Sequence, residues 1–426
     1  MRSSRSRTRK RAWRPSSRNA SRASRINNTA LVLLAAHILS MVGFSTYAAL
    51  LPELRDLWSL SNSQAGIVGG MFFAGYIATV PLWTALTDRV DGRKVYLAGG
   101  VLSAAGSAGF GLAASGFASA VFFQCLLGVG IAATYMPGLR LLSDRISGPG
   151  QSRYIAFYTS FFGIGTALSL LIAGGLAPVV GWQWAFVVSA FGPLAAAALV
   201  CFGIAAMPPK VQRQGLSLAD LFPVAAWRKV LANRPAAGYT FGYFAHCLEL
   251  FGSRAWMVAF LVFSASFQSG GFPWAAAAIA AAVNLASVPA SIVGNEIALR
   301  IGRRRWILIA MAGSSLSGLA LGVSAPWHWA LVLALLVVYS MLVMAESATL
   351  TAGLVAAAPA ELRGAAMGLY SLIGFGGGML GPVLFGAALD VAGGAASPIA
   401  WVAGYAAIGA GCLLAPLVGR MNRRTL

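Results

Sequence analysis

The chain has 426 residues, of which 58% are hydrophobic and only 10% charged. Soluble domains carry about 25% charged residues, so a conventional soluble enzyme is excluded. The formal charge of +20 invites a nucleic-acid reading, but ten of the 31 Lys and Arg lie in the first 25 residues and most others form short clusters between apolar runs, which excludes one.

Residues 1–28 are Arg- and Ser-rich, carry no acid and read as a disordered basic cytoplasmic tail. A transit peptide or a tether to anionic lipid would share that composition. Apolar stretches of the roughly 20 residues that cross a bilayer as a helix follow at 29–51, 64–86, 95–115, 117–141, 154–178 and 184–206. The hydrophilic stretch 207–236 reads as a cytoplasmic linker, in which 218–231 has the pattern of an interfacial amphipathic segment interrupted by Pro223. Six further runs cover 237–263, 273–298, 305–324, 328–353, 364–388 and 398–419, and 420–426 is a second cytoplasmic tail. The chain thus divides into six-span halves at 29–206 and 237–419.

Basic clusters recur at every second connection, from Arg89, Arg93 and Lys94 through Arg140, Arg145 and Arg153 to Arg300, Arg303, Arg304 and Arg305. This is the positive-inside pattern, and it places both termini in the cytoplasm. Ala- and Gly-rich spans suit a bacterial inner membrane, with the protein acting there as a multi-pass monomer. Cys125, Cys201, Cys247 and Cys412 all fall inside apolar runs and read as small core residues.

The two halves resemble each other. His37-Ile-Leu-Ser-Met-Val-Gly43 in the first span matches His246-Cys-Leu-Glu-Leu-Phe-Gly252 in the seventh, and Tyr47 answers Trp256. Gly92-Arg93-Lys94 after span two matches Gly302-Arg303-Arg304 after span eight, and the Tyr158 region of span five resembles the Tyr370 region of span eleven. Three matches in register imply two pseudo-symmetric bundles. In transporters built from such repeats the substrate site lies near the bilayer midplane between the halves.

On these residues the chain resembles the major facilitator superfamily over 29–419. The resemblance implies an all-α membrane protein of twelve transmembrane helices in two six-helix bundles, working as a secondary transporter by alternating access. The most specific element is the loop Thr84-Ala-Leu-Thr-Asp88-Arg89-Val-Asp91-Gly92-Arg93-Lys94, which is similar to the family's acidic-basic loop after span two. That loop implies a gating latch of Asp88, Arg89, Gly92, Arg93 and Lys94, with Glu296 and Arg303 as the second-half copy. Thr84 replaces the pattern's first Gly, and Asp91 is an added residue. Gln124 stands where many proton-coupled members carry Arg, and the Gly-Pro signature of antiporters is absent from span five.

Charges inside the membrane are expensive and mark function. Span seven holds His246, Glu249 and Arg254, and span ten holds Tyr339, Glu346 and Thr349. At 100° per residue His246 and Glu249 share a face, while Arg254 lies about 140° from Glu249. Arg254, always charged, is the candidate for an anionic substrate group, with Tyr47, Trp256, Asn284, Gln124, Tyr339 and His37 as further substrate contacts. Glu249, Glu346 and His246 are the proton-coupling candidates. The alternative is a static bridge from Arg254 to one of the glutamates. No phosphate loop, zinc spacing or activated nucleophile is evident, so neither enzyme activity, a cofactor nor a metal is expected. The expected partners are a small-molecule substrate, protons and the lipid bilayer. The leading expectation is proton-linked movement of a small organic, anionic solute. Efflux of lipophilic compounds is the alternative, and a receptor that kept the transporter fold is a third.

Overall fold

The structure is a computed structural model and describes residues 17–146, 151–208 and 221–413. Most of the expected basic tail, the linker residues 209–220 and the final tail lie outside the described residues. The first half comprises α1 (Ser17–Ser40), α2 (Thr46–Leu57), α3 (Asn62–Arg89), α4 (Gly92–Ala113), α5 (Phe117–Arg145), α6 (Gln151–Val180), α7 (Trp182–Ser189) and α8 (Phe191–Gly203). A short α9 (Val224–Ala232) leads into the second half. That half comprises α10 (Arg234–Ala265), α11 (Ala276–Ile301), α12 (Arg303–Val323), α13 (Trp329–Ala345), α14 (Ser347–Ala357), α15 (Arg363–Val391) and α16 (Pro398–Leu413).

Among the described residues, ten helical stretches are long and apolar enough to cross a membrane. The first and twelfth expected spans are shorter apolar helices, Asn28–Ser40 and Pro398–Cys412. The first is short because the chain turns over 41–45 before resuming as α2. Exposed backbone is costly in hydrocarbon, and hydroxyls stitch this turn. Ser169 Oγ accepts from the Ser45 N–H at 3.0 Å, and Thr46 Oγ1 lies 3.3 Å from Ser169 Oγ and 3.2 Å from Ser189 Oγ. α1 starts at Ser17, ahead of the apolar run expected from residue 29. Leu221 is helical, Phe222 and Pro223 are not, and α9 begins at Val224, so the segment is interrupted at Pro223 as expected.

Span ten is also broken, without proline. α13 ends at Ala345, Glu346 adopts a turn, and α14 begins at Ser347. The groups freed by the break find side chains. The Trp306 indole N–H donates to the Ala345 carbonyl at 3.0 Å, and Ser291 Oγ accepts from the Ala348 N–H at 3.2 Å. Gly294 on α11 lies directly against the Ala345 carbonyl, where a Cβ would collide with it.

Helices α1–α8 pack among themselves, as do α10–α16, and the halves meet along α3·α15, α6·α11 and α2·α10. The α3·α15 seam is made of small residues that let backbones approach closely. Gly66 and Gly70 lie against the Pro382 and Met379 carbonyls, and Gly386 lies against the Asn62 carbonyl. Further along, Phe73 packs 4.4 Å from Phe251, and Tyr76 packs 4.9 Å from Phe375, between ring centroids. These contacts run from mid-depth toward the end opposite the basic clusters.

Candidate functional site

A cavity of about 50 Å³ lies between the halves at mid-depth, enough for a few water-sized groups. Phe44, Phe72, Phe73 and Phe251 form its apolar wall, while Ser45, Tyr47, Gln124, Thr166, Arg254 and Asn284 bring polar groups to it. Four of the seven expected substrate contacts, Arg254, Tyr47, Gln124 and Asn284, therefore line one cavity. Among the described residues Arg254 makes no ion pair; its Nη2 donates to Met344 Sδ at 3.7 Å. The static bridge from Arg254 to Glu249 or Glu346 is absent.

The other three expected contacts lie elsewhere. Trp256 is fully buried in the second half, its N–H donating to the Pro382 carbonyl at 3.0 Å and its ring stacked on Phe385. Tyr339 is buried against Tyr405 and does not line the cavity. His37 is stacked on Tyr158 inside the first half at 4.0 Å between centroids, and neither ring nitrogen has a hydrogen-bond partner. Helical spacing marks polar faces. It does not say which of several buried faces looks into the gap between halves.

The three proton-coupling candidates gather inside the second half. His246 Nδ1 lies 3.1 Å from Glu346 Oε1, both groups buried. Glu249 Oε2 lies 2.8 Å from Ser314 Oγ on α12 and 3.0 Å from Cys412 Sγ on α16. None of the three lines the cavity, so acid chemistry and the free guanidinium occupy separate compartments.

Both acids of the loop after α3 are paired with arginines of the first half. Asp88 pairs with Arg140 on α5, not with Arg89, Arg93 or Lys94. Asp91 caps α4, accepting from the Arg93 N–H at 3.0 Å and pairing with its guanidinium at 2.8 Å. Arg93 in turn donates to the Ile204 carbonyl beyond α8 at 3.0 Å. Burial alone would raise the Asp91 carboxyl, but the hydrogen bonds and charge of Arg93, with Arg145 nearby, outweigh it and hold the group below the ordinary carboxylate range. Lys94 takes part through its backbone N–H, which donates to the Asp91 carbonyl at 2.8 Å, and Gly92 packs against Leu141. Glu296 is exposed, and among the described residues no ion pair joins it to Arg303.

The bridge between halves is at the other end. Asp390, the penultimate residue of α15, accepts from the Asn62 N–H at 3.0 Å, Asn62 Nδ2 at 2.7 Å, the Ser63 N–H at 2.7 Å and Ser63 Oγ at 2.6 Å. The two backbone N–H groups are orphan donors of the first turn of α3, where a carboxylate is favoured by geometry and dipole. Ser61 and Gln64 complete a capping box there, and Arg55 Nη1 donates to Asn62 Oδ1 at 3.0 Å. Sequence reasoning missed Asp390 and Arg140. Ser61-x-x-Gln64 was a readable capping signal, and Asp390 is an acid in a connection otherwise nearly free of charge.

The human protein spinster homolog 1 is 26% identical over 241 residues, which cover 54% of this chain and 45% of that protein. The organic cation/carnitine transporter 7 of Arabidopsis thaliana is 25% identical over 134 residues, covering 31% of this chain and 26% of its own. The matched part thus spans less than half the length of these relatives. Among solved structures, a bacterial homolog of the human lysosomal transporter Spinster, inward-facing and unoccupied, has a TM-score of 0.73 at 14% identity, covering 93% of this chain and 96% of that one. The nucleoside transporter NupG has a TM-score of 0.75 at 13% identity, covering 92% and 100%. A model of the Major Facilitator Superfamily matches residues 33–382. With its bundled apolar helices and central cavity, the chain is a multi-pass integral membrane protein and belongs to the Major Facilitator Superfamily.

Proposed function

We propose that the protein is a secondary transporter that moves a small organic anion with an apolar or aromatic part, by alternating access and in exchange with protons. The observation that carries this reading is Arg254, a guanidinium at the central cavity with no acidic partner among the described residues. Such a charge is costly in the membrane unless paired, and a substrate carboxylate or similar group would pair it bidentately. Gln124 and Asn284 would accept or donate alongside, and the four phenylalanines would take the apolar part.

Alternating access is supported by the distribution of contacts. The small-residue and aromatic contacts of α3 with α15 and the Asp390 bridge hold the halves together from mid-depth toward the end opposite the basic clusters. By the positive-inside rule the basic end is cytoplasmic, so this would be the inward-facing state of a monomer in a bacterial inner membrane. Glu249, Glu346 and His246 would exchange protons from within the second half, driving the cycle without touching the substrate.

The phenylalanine wall also suits efflux of lipophilic compounds, and one experiment separates the two. Melting temperature is measured against small carboxylates and against lipophilic cations, in the parent protein and in Arg254→Ala. A ligand that binds the folded state alone raises apparent stability with concentration. Stabilisation by carboxylates that vanishes in Arg254→Ala is the expected result. Stabilisation by cations that survives the substitution would replace the anion reading with efflux.

A further inference from the structure

We infer that Ser314 and Cys412 are positioning residues that make Glu249 a two-state proton site, with Oε2 hydrogen-bonded in each protonation state. The inference rests on the proposed role of Glu249 in proton exchange and specifies how that exchange is arranged. Glu249 is 1% exposed, and its Oε2 has two neutral neighbours on two different helices, Ser314 Oγ at 2.8 Å and Cys412 Sγ at 3.0 Å. Each neighbour has a second acceptor within reach. Ser314 Oγ lies 3.0 Å from the Met311 carbonyl, and Cys412 Sγ lies 3.9 Å from the Ala245 carbonyl.

A hydroxyl or thiol carries one proton and donates it to one acceptor at a time. With Glu249 ionised, both protons turn to Oε2 and the carboxylate accepts two hydrogen bonds. With Glu249 protonated, its own O–H donates to Ser314 Oγ, the serine proton turns to the Met311 carbonyl, and the thiol proton turns to the Ala245 carbonyl. One proton is gained at Oε2 and none is lost elsewhere. Neither state leaves Oε2 unsatisfied in a site where that would be expensive, and no heavy atom has to move.

The other titratable groups near Glu249 are His246 on its own helix, Glu346 at the α13–α14 break and Tyr339 on α13, besides Cys412 itself. Glu346 differs in kind. Its partner is an imidazole, a base able to hold the same proton, so that pair can pass a proton internally without a net gain. Serine and thiol cannot take the proton from Glu249 in this way. Of the two buried acids, Glu249 is the one built to gain and release a proton singly.

The test is infrared difference spectroscopy of the full-length protein in nanodiscs as pH is varied. The carbonyl band of a protonated buried carboxyl is followed and assigned to Glu249 by its loss in Glu249→Gln. Donors to the ionised form favour that form, so Ser314→Ala and Cys412→Ala are each expected to move the midpoint up by about one pH unit or more. Ser314→Thr and Cys412→Ser keep a donor and are expected to restore it, and melting temperatures confirm that all variants fold. A midpoint unmoved in both alanine variants overturns the inference while leaving Glu249 as a proton site. If Glu249→Gln removes no titrating band, the proton-exchange reading of Glu249 itself fails.

Discussion

His37 and His246 occupy matching positions in the two halves of the chain, each fully buried and each stacked among tyrosines. His37 lies on Tyr158 with Tyr135 at its edge, and both ring nitrogens lack partners. His246 lies near Tyr243, which stacks on Tyr370 at 3.9 Å, and its Nδ1 meets Glu346. The aromatic setting repeats, down to the matched Tyr158 and Tyr370. The carboxylate does not. A shared scaffold therefore supports two kinds of interior, an aromatic one in the first half and an ionisable one in the second.

The sharpest way to break this comparison is to neutralise the second-half acid. Glu249→Gln is expected to abolish solute accumulation driven by a pH gradient in proteoliposomes while solute exchange continues. Accumulation that persists would show that the asymmetry between halves has no energetic role. Next in size is the bridge that holds the halves together. Asp390→Ala removes four hydrogen bonds from the first turn of α3, and hydrogen bonds to a charged group contribute about 1.5–3 kcal/mol each, not additively. Labelling of an Ala48→Cys reporter by an impermeant maleimide, added from the end opposite the basic clusters, is expected to rise at least about 10-fold. An unchanged rate would move control of the seam to the glycine contacts.

A smaller effect tests the histidines directly. His246→Phe leaves Glu346 buried without its partner and is expected to cost about 2–4 kcal/mol, whereas His37→Phe keeps the stack and should stay within about 1 kcal/mol. Equal losses in melting temperature would mean that Glu346 does not distinguish the two sites. The smallest effect concerns the first-half loop. The folded Asp91 carboxyl sits below its ordinary range, so its stabilising effect is full above the unfolded value and is lost as pH falls through the folded one. Asp91→Asn should lower the melting temperature slightly at neutral pH, and the difference should vanish in acid.

Much of the architecture could be read from residue order because lipid demands long apolar helices and the basic clusters punctuate them. The broken spans could not. The turn at 41–45 depends on Ser169 and Ser189, more than a hundred residues away, and the Glu346 break depends on Trp306 and Ser291. The site was legible in part for a similar reason. Arg254 and Glu249 stood out because charge is rare in membranes, and their separation on the helix correctly argued against a local pair. Ser314 and Cys412 carried no such signal, since a serine and a cysteine are ordinary in apolar spans. Asp88 was recognised as a loop acid, but its partner Arg140 comes from a helix the local motif does not include.

The broken tenth span also supplies an optical handle. The Trp306 indole is tied to the carbonyl of Ala345 at the joint between α13 and α14, one residue from Glu346. Any rotation of one segment relative to the other changes that hydrogen bond and with it the polarity felt by the indole. The protein thus carries an intrinsic fluorophore at the elbow beside its buried acids, and the difference in emission between parent and Trp306→Phe would follow the elbow in real time without an added label.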